Sequence, residues 1–324
     1  MRNLARWLVC FFCACSIISF SYLFAEASGV SAKTDSYSSY VQGLFLDGVG
    51  DFEQAKKAYQ KAVKLDANSW SIHYRLALDY IRTNDYKNAE DELEKSLELK
   101  PFAEGVRFLL ASVYAHNSKY DEAIREYLGL LDKPLVELGE LEVRYALAQL
   151  YVKLNDLEKA EIECHKILEK DPQDANAHFY IGYIYSESSK EDNAIKEFSR
   201  AIELNPSHSS AMNSLSYLYA LRGENLDYAL SLVKKALEFD PSNSAYLDTL
   251  GWVYFKKGDM ENALRYLENA SVLAKDAEIY EHLGDVYMEM GKLSDARKNW
   301  RRSLELDSGR ESVKEKIKNI KKVK

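Results

Sequence analysis

A recurrence of about 34 residues runs through most of this chain, and it constrains the fold more than any other feature. Tyrosines recur at intervals of 33 to 37 residues: Tyr80, Tyr114, Tyr151, Tyr185, Tyr219, Tyr254 and Tyr287. Alanines recur in step with them: Ala55, Ala89, Ala123, Ala160, Ala194, Ala229, Ala263 and Ala296. Because both columns lengthen at the same place, the period belongs to structural units that follow one another along the chain.

Each period predicts two helices joined by a short turn. In residues 175–208, His178, Ile181, Gly182 and Tyr185 follow the i, i+3, i+4, i+7 spacing of one helix face. The alanine column then begins the apolar stripe of a second helix. Four of the five prolines fall twelve residues after an alanine of this column, where the second helix is expected to end. One pair cannot bury its apolar face alone, so we expect the pairs to stack.

The residues of one unit carry a family resemblance. Ala245 to Tyr254, followed by Gly258, Asp259 and Ala263, resemble the tetratricopeptide repeat. The resemblance implies an all-α, right-handed superhelical solenoid of about eight helix-turn-helix repeats in residues 36–310. The eight repeats are predicted to begin near Ser36, Trp70, Glu104, Leu141, Ala175, Ser209, Ser244 and Ala277.

The amino terminus carries a targeting pattern instead of a repeat. Arg2 and Arg6 are followed by an uncharged run from Trp7 to Phe24, and Ala25-Glu26-Ala27 has the form of a signal-peptidase site. The pattern predicts that residues 1–27 are a signal peptide or, since the run nearly reaches bilayer-spanning length, an uncleaved membrane anchor. Residues 28–35 are then a linker. We therefore expect an exported, bacterial-type protein that is periplasmic or anchored to the inner membrane and facing the periplasm.

The carboxyl terminus is basic, although the chain as a whole has a net charge of −8. From Arg297 to Lys324 there are eleven basic and four acidic residues. Within residues 311–324 an apolar stripe at helical spacing predicts a capping helix: Val313, Ile317, Ile320 and Val323. The cations suit a solvated cap, or a docking patch for an acidic partner or an anionic membrane. The acidic balance of the whole chain argues against nucleic acid as a partner.

The sequence offers no constellation suited to catalysis. The six histidines are scattered, and the zinc-binding and phosphate-loop motifs are missing. Cys164 beside His165 invites interpretation as a nucleophile and its base, but adjacent side chains on a helix diverge, so a buried core thiol is predicted. We expect no enzymatic activity, no metal and no cofactor. An enzyme that carries these repeats beside a catalytic domain is a rival that residues 36–310 do not support.

The family resemblance implies that the first helix of each pair lines a concave groove. The face one residue beyond the packing stripe is aromatic, and it becomes acidic toward Asp248, Glu281 and Asp285. Aromatic side chains are favoured anchors for bound peptides. The predicted partner-binding residues are Tyr40, Tyr74, Phe108, Tyr145, Phe179, Tyr183, Asn213, Tyr217, Trp252 and Phe255.

These residues predict a non-catalytic protein–protein interaction scaffold of the cell envelope, with an extended or helical segment of another protein in its groove. The alternative is a subunit of an outer-membrane assembly, secretion or polysaccharide-export machine whose aromatic groove contacts glycan. Some members of the family hold a terminal carboxylate with Lys, Asn and Arg. The groove positions here contain almost none of these residues, so a carboxylate ligand is disfavoured.

Overall fold

The structure, a computed structural model, describes residues 32–132, 134–136 and 138–320. These residues form seventeen helices and no strand. In chain order the helices are α1 (Ala32–Gly48), α2 (Phe52–Leu65), α3 (Trp70–Arg82), α4 (Tyr86–Leu99), α5 (Glu104–His116), α6 (Tyr120–Leu131), α7 (Glu140–Lys153), α8 (Leu157–Lys170), α9 (Ala175–Glu187), α10 (Glu191–Leu204), α11 (Ser209–Arg222), α12 (Leu226–Phe239), α13 (Ser244–Lys256), α14 (Met260–Leu273), α15 (Ala277–Glu289), α16 (Leu293–Leu306) and α17 (Glu311–Ile320). None of the described helices has the length and apolar character needed to cross a bilayer.

Consecutive helices pack on one another as pairs, and the chain divides into two compact units, residues 1–150 and 151–324. In the first unit α1 packs on α2, α3 on α4 and α5 on α6, and each pair contacts the next. In the second unit α8 packs on α9, and four pairs follow from α9 to α16. Here the first helices of neighbouring pairs also touch one another, α9 with α11, α11 with α13 and α13 with α15. The predicted all-α repeat solenoid is confirmed.

The alanine column marks the closest approach within each pair. Every alanine of the column is fully buried. Gly182 of α9 faces the ring of Phe198 on α10, and a Cβ at Gly182 would lie 2.7 Å from that ring. Small residues therefore stand where two helices meet, and a large apolar side chain such as Phe198, which is 1% exposed, fills the remaining space.

Several tyrosines of the recurring column lie at the edge of the core and are not fully buried within it. Tyr114, Tyr185 and Tyr287 are only half-buried. Each donates its hydroxyl proton to a glutamate on the second helix of the preceding repeat: the acceptors are Glu94 at 2.7 Å, Glu161 at 2.9 Å and Glu268 at 2.9 Å. These three tyrosines join one repeat to the next at the edge of the core.

A third column lies in the turns inside the repeats. Each turn contains at least one residue with a positive φ, between 48° and 81°, a conformation that glycine and asparagine tolerate best, and the turn between α11 and α12 contains two. Such residues are Gly50, Asn84, Ser118, Asn155, Ser189, Gly223, Asn225, Gly258 and Gly291. This left-handed residue reverses the chain so that the second helix folds back on the first.

Helix α17 closes the carboxyl-terminal end of the second unit. Val313 and Ile320 are buried against Ala296 and Trp300, and the partly buried Ile317 joins the same cluster. Three residues of the predicted capping stripe thus cover the last repeat, and the fourth, Val323, lies outside the described residues. The predicted signal peptide or anchor also lies outside them.

Candidate functional site

A pocket of about 240 Å³ lies on the first helices of the second unit. We call this surface, contributed by α9, α11, α13 and α15, the first-helix face. The pocket is lined by Tyr183, Ser186, Glu187, Phe198, Asn213, Ser214, Tyr217, Leu218, Ala245, Asp248, Thr249 and Glu278. Three of the predicted binding residues, Tyr183, Asn213 and Tyr217, therefore come together here, from two neighbouring helices.

Each of these three residues offers a surface or an atom to a ligand. Tyr183 is 36% exposed, and burial together with the nearby Glu187 carboxylate raises the pKa of its hydroxyl. The Oδ1 atom of Asn213 is buried and accepts no hydrogen bond from any described residue. A buried acceptor without a donor costs free energy until a partner supplies one.

Tyr217 is fixed across two repeats. Its hydroxyl donates to Glu278 Oε1, sixty-one residues away in the sequence, and burial together with Glu278 strongly raises the pKa of the phenol. No local spacing in the sequence signals this contact, because it joins α11 to α15. The ring of Tyr217 therefore has a defined position on the first-helix face.

A buried ion pair supports the pocket from below. His282 Nδ1 lies 2.9 Å from Asp248 Oδ1 and 3.1 Å from Asp248 Oδ2, and both residues are buried. Burial opposes protonation of the imidazole, but the Asp248 carboxylate outweighs it and raises the pKa of His282 above its ordinary value of 6.5. The pair links α13 to α15. His282 therefore fixes the position of the Asp248 carboxylate and balances its charge.

Trp252, one of the predicted partner-binding residues, is buried in the structure. Trp252 is only 7% exposed, and its ring stacks on His282 at 4.0 Å and on Phe255 at 4.8 Å between ring centroids. Its indole nitrogen is buried and donates to no described residue. Trp252 and the partly buried Phe255 therefore pack beneath the face, and we expect replacing Trp252 to disturb the fold as well as the surface.

The aromatic column of the earlier repeats also packs inside its own repeats. Tyr40 lies 5.8 Å from Tyr59 between ring centroids, Phe108 lies 5.3 Å from Tyr127, and Phe179 lies 5.8 Å from Phe198. In each case the partner is nineteen residues later on the second helix. Tyr74 contacts Trp70 at 6.4 Å, and Tyr145 is partly buried. Tyr40, Tyr74, Phe108 and Phe179 are thus positioned by ring packing, and the Phe198 ring on which Phe179 packs lines the pocket.

The predicted acidic end of the face is neutralised by the cap. Arg310 Nη1 lies 2.5 Å from Glu281, Lys316 Nζ lies 2.8 Å from Glu281, and Lys316 Nζ also lies 2.7 Å from Asp285. Burial opposes ionisation of Glu281, yet the two cations hold the pKa of its carboxyl below the ordinary value. The basic carboxyl-terminal segment therefore supplies two charges to the repeat itself, and these are not available to a docking partner.

Four further cations of that segment lie on α16. Arg297, Lys298, Arg301 and Arg302 line a depression of about 650 Å³ with Leu293, Ser294 and Glu305. All of these residues belong to one helix, and the depression lies between their long side chains. It supplies charge but no converging polar groups.

Two histidines that the sequence left as scattered residues have equivalent contacts. His73 Nδ1 lies 2.5 Å from Glu92, and His178 Nδ1 lies 2.6 Å from Glu197. In both repeats the glutamate follows the histidine by nineteen residues, on the second helix. That repeated spacing is the signal by which these structural ion pairs could have been found.

The described residues contain no arrangement typical of a catalytic or metal site. No three of their His, Cys, Asp or Glu side chains are grouped so as to hold a metal ion. Cys164 is fully buried, which raises the pKa of its thiol to about 12, whereas His165 is exposed. The predicted divergence of these two side chains is confirmed, and the buried thiol is a core residue.

Stability is expected to depend on pH through the His282–Asp248 pair. A histidine whose pKa is raised by folding adds stability below its unfolded pKa, and this stability is lost as pH rises through the folded pKa. The charged groups facing His282 are Asp248, Glu278 and Asp285, and all of them favour the cation. The wild type should have a higher free energy of unfolding than the Asp248→Asn variant. We expect this difference to be largest at about pH 6 and smallest at about pH 9. Urea unfolding of both proteins measures this, and a constant difference over the range would contradict it.

Comparison with known proteins identifies the repeats. Family models of the tetratricopeptide repeat match residues 40–104, 74–134, 145–206 and 186–244, and two more with the same description match residues 247–279 and 277–309. The chain belongs to the tetratricopeptide repeat family. Proteins built from these repeats generally mediate protein–protein interactions, and the repeats themselves are generally non-catalytic.

Individual relatives are similar to this chain over part of their length. Anaphase-promoting complex subunit 3 of Schizosaccharomyces pombe is 25% identical over 173 residues, which are 53% of this chain and 25% of that protein. Protein O-mannosyl-transferase TMTC3 of Homo sapiens is 25% identical over 201 residues, 61% of this chain and 18% of that protein. The chain thus spans a quarter or less of these relatives. A tetratricopeptide repeat protein from Parabacteroides merdae, 19% identical, covers 78% of this chain and 98% of its own with a TM-score of 0.61, which shows the shared fold.

Proposed function

We propose that this protein is a non-catalytic scaffold that binds an extended or helical segment of another protein along its first helices. The observation that carries the proposal is the pocket in which Tyr183, Asn213 and Tyr217 converge, with a buried amide oxygen that lacks a donor. Its volume of about 240 Å³ is below the roughly 300 Å³ at which small-molecule sites begin. The pocket is therefore suited to one side chain of a longer ligand.

The rest of the face supports the same proposal. Tyr217 and Tyr183 present aromatic surface next to hydrogen-bonding groups, the combination that protein interfaces favour at their energetic centres. Asp248, which lines the pocket, is held in place by its pair with His282, and the Trp252 ring stacks on that imidazole. A preformed site loses less conformational entropy on binding.

The binding role is tested with peptides selected on the intact protein from a random-peptide display library. Tyr183→Ala combined with Asn213→Ala is expected to weaken selected peptides by roughly tenfold or more, since a central aromatic anchor contributes about 2 kcal/mol. Binding is measured by fluorescence anisotropy and folding by circular dichroism. Tyr228→Ala, which removes a 50% exposed tyrosine from α12, is the matched control. Full affinity of the folded double variant would move the binding site elsewhere.

We also propose that the protein acts outside the cytoplasm, in a cell envelope. The support is the pattern of basic residues, apolar run and Ala25-Glu26-Ala27 at the amino terminus. The proposal predicts a mature amino terminus near Ser28. Intact-mass measurement of the protein from its native source checks this, and a full-length chain in the membrane fraction would favour an anchor instead.

A further inference from the structure

The carboxylates of the first-helix face are not equivalent. Asp248 is paired with His282. Glu281 is paired with Arg310 and Lys316, and Asp285 with Lys316 and with the indole N–H of Trp300. The protein therefore provides its own cations for the acids of this face that lie farthest toward the carboxyl terminus.

Two pocket carboxylates are treated differently. Glu187 and Glu278 both line the pocket, and across residues 138–320 no lysine, arginine or histidine side chain lies within ion-pair distance of either. His282 and Arg310 interact with Glu278 electrostatically from beyond that distance. Tyr217 donates one hydrogen bond to Glu278 Oε1, which leaves the second oxygen available. Glu187 is exposed and lies close enough to Tyr183 to influence its hydroxyl.

The other groups of the pocket also favour a positively charged donor. The buried Oδ1 atom of Asn213 is an acceptor without a donor. The exposed ring of Tyr183 lies beside these acceptors, and the negative face of a tyrosine ring attracts an ammonium or guanidinium group. A carboxylate ligand would meet like charge from the pocket glutamates, whereas a cation would meet opposite charge and could donate a hydrogen bond to the amide oxygen.

We propose that this pocket binds the lysine or arginine side chain of the partner segment, with Glu187 and Glu278 pairing with the cation and Asn213 Oδ1 accepting one of its hydrogen bonds. This inference rests on the proposed function, because it names the residue type that the groove recognises. The small pocket volume admits one such side chain, so the segment carries a single required basic position.

The inference is tested with the same display library on the intact protein. Selected peptides are expected to share one lysine or arginine. Replacing that arginine by citrulline, or that lysine by norleucine, is expected to weaken binding roughly tenfold or more, the usual effect of losing hydrogen bonds to a charged group. Comparing the two replaced residue types shows whether ammonium or guanidinium is preferred.

Matched protein variants separate a specific contact from a general charge effect. The double variant Glu187→Gln, Glu278→Gln is expected to weaken binding of the basic peptides by a similar factor. The control is the double variant Glu169→Gln, Glu238→Gln, which removes the same charge from two exposed positions on second helices and should leave binding unchanged. Two outcomes would overturn this inference and leave the proposed function intact. In the first, the selected peptides need Tyr183 and Asn213 for binding but contain no basic residue. In the second, they bind the Glu187→Gln, Glu278→Gln protein with full affinity. Peptides indifferent to Tyr183 and Asn213 would overturn both.

Discussion

Replacing Phe198 by alanine is expected to lower the free energy of unfolding by roughly 3 to 5 kcal/mol, as truncation of buried aromatic side chains does. Phe198 is 1% exposed and fills the space beside Gly182, where α9 and α10 approach most closely. It also packs on Phe179 and within the cluster that includes Met212 and Leu215 of the next repeat. Because the cavity would open between two repeats, the loss should be shared by both.

The matched control is Phe239→Ala at the end of α12. Phe239 has the same chemistry but is 52% exposed, so its loss is expected to cost well under 1 kcal/mol. Urea unfolding followed by circular dichroism compares the two variants with the wild type. Equal midpoints for Phe198→Ala and Phe239→Ala would show that the packing register between α9 and α10 is wrong.

The second large effect is expected at the cap. Val313 and Ile320 of α17 are 0% and 3% exposed. Changing both to alanine is expected to lower the free energy of unfolding by roughly 3 to 6 kcal/mol, about 1.5 to 3 kcal/mol for each buried aliphatic side chain. If α17 then detaches, Glu281 and Asp285 also lose Arg310 and Lys316, so the variant should lose helix content at lower urea than the wild type.

The control for the cap removes the same two residue types from exposed positions. Val272 is 84% exposed and Ile162 is 46% exposed, and their joint replacement by alanine should leave the unfolding midpoint nearly unchanged. Hydrogen exchange of α15 and α16 in the cap variant gives a local readout. Unchanged protection there would mean that α17 contributes little to the last repeat.

The helices were predictable because their signals are local and recur. Seven of the eight predicted repeat starts lie within one residue of the position at which the first helix of a pair begins. The other, Ser36, lies inside α1, which begins at Ala32. The alanine column, the turn residues and the prolines all report backbone geometry that depends on a few neighbouring residues. Each period repeats the same information, so one ambiguous repeat is corrected by the others.

The site was predictable only in part, since its contacts join different repeats. The face offset from the packing stripe included Tyr183, Asn213 and Tyr217, which line one pocket in the structure. It could not distinguish Trp252, whose ring is covered by His282 from the next first helix. It also could not separate acids that the cap neutralises from Glu187 and Glu278, because that difference depends on where α17 packs.

The pairing of α17 with α15 bears on how such an array can change in length. A repeat added after α16 would have to replace the apolar cover that Val313 and Ile320 give Trp300. It would also have to supply two cations in the places of Arg310 and Lys316, or leave Glu281 and Asp285 with unbalanced charge. A duplicated internal repeat would not have to provide this apolar cover or these two cations, because it would pack between repeats of its own kind. We therefore expect a repeat inserted upstream of α15 to be tolerated better than one inserted between α16 and α17, where these contacts would be broken.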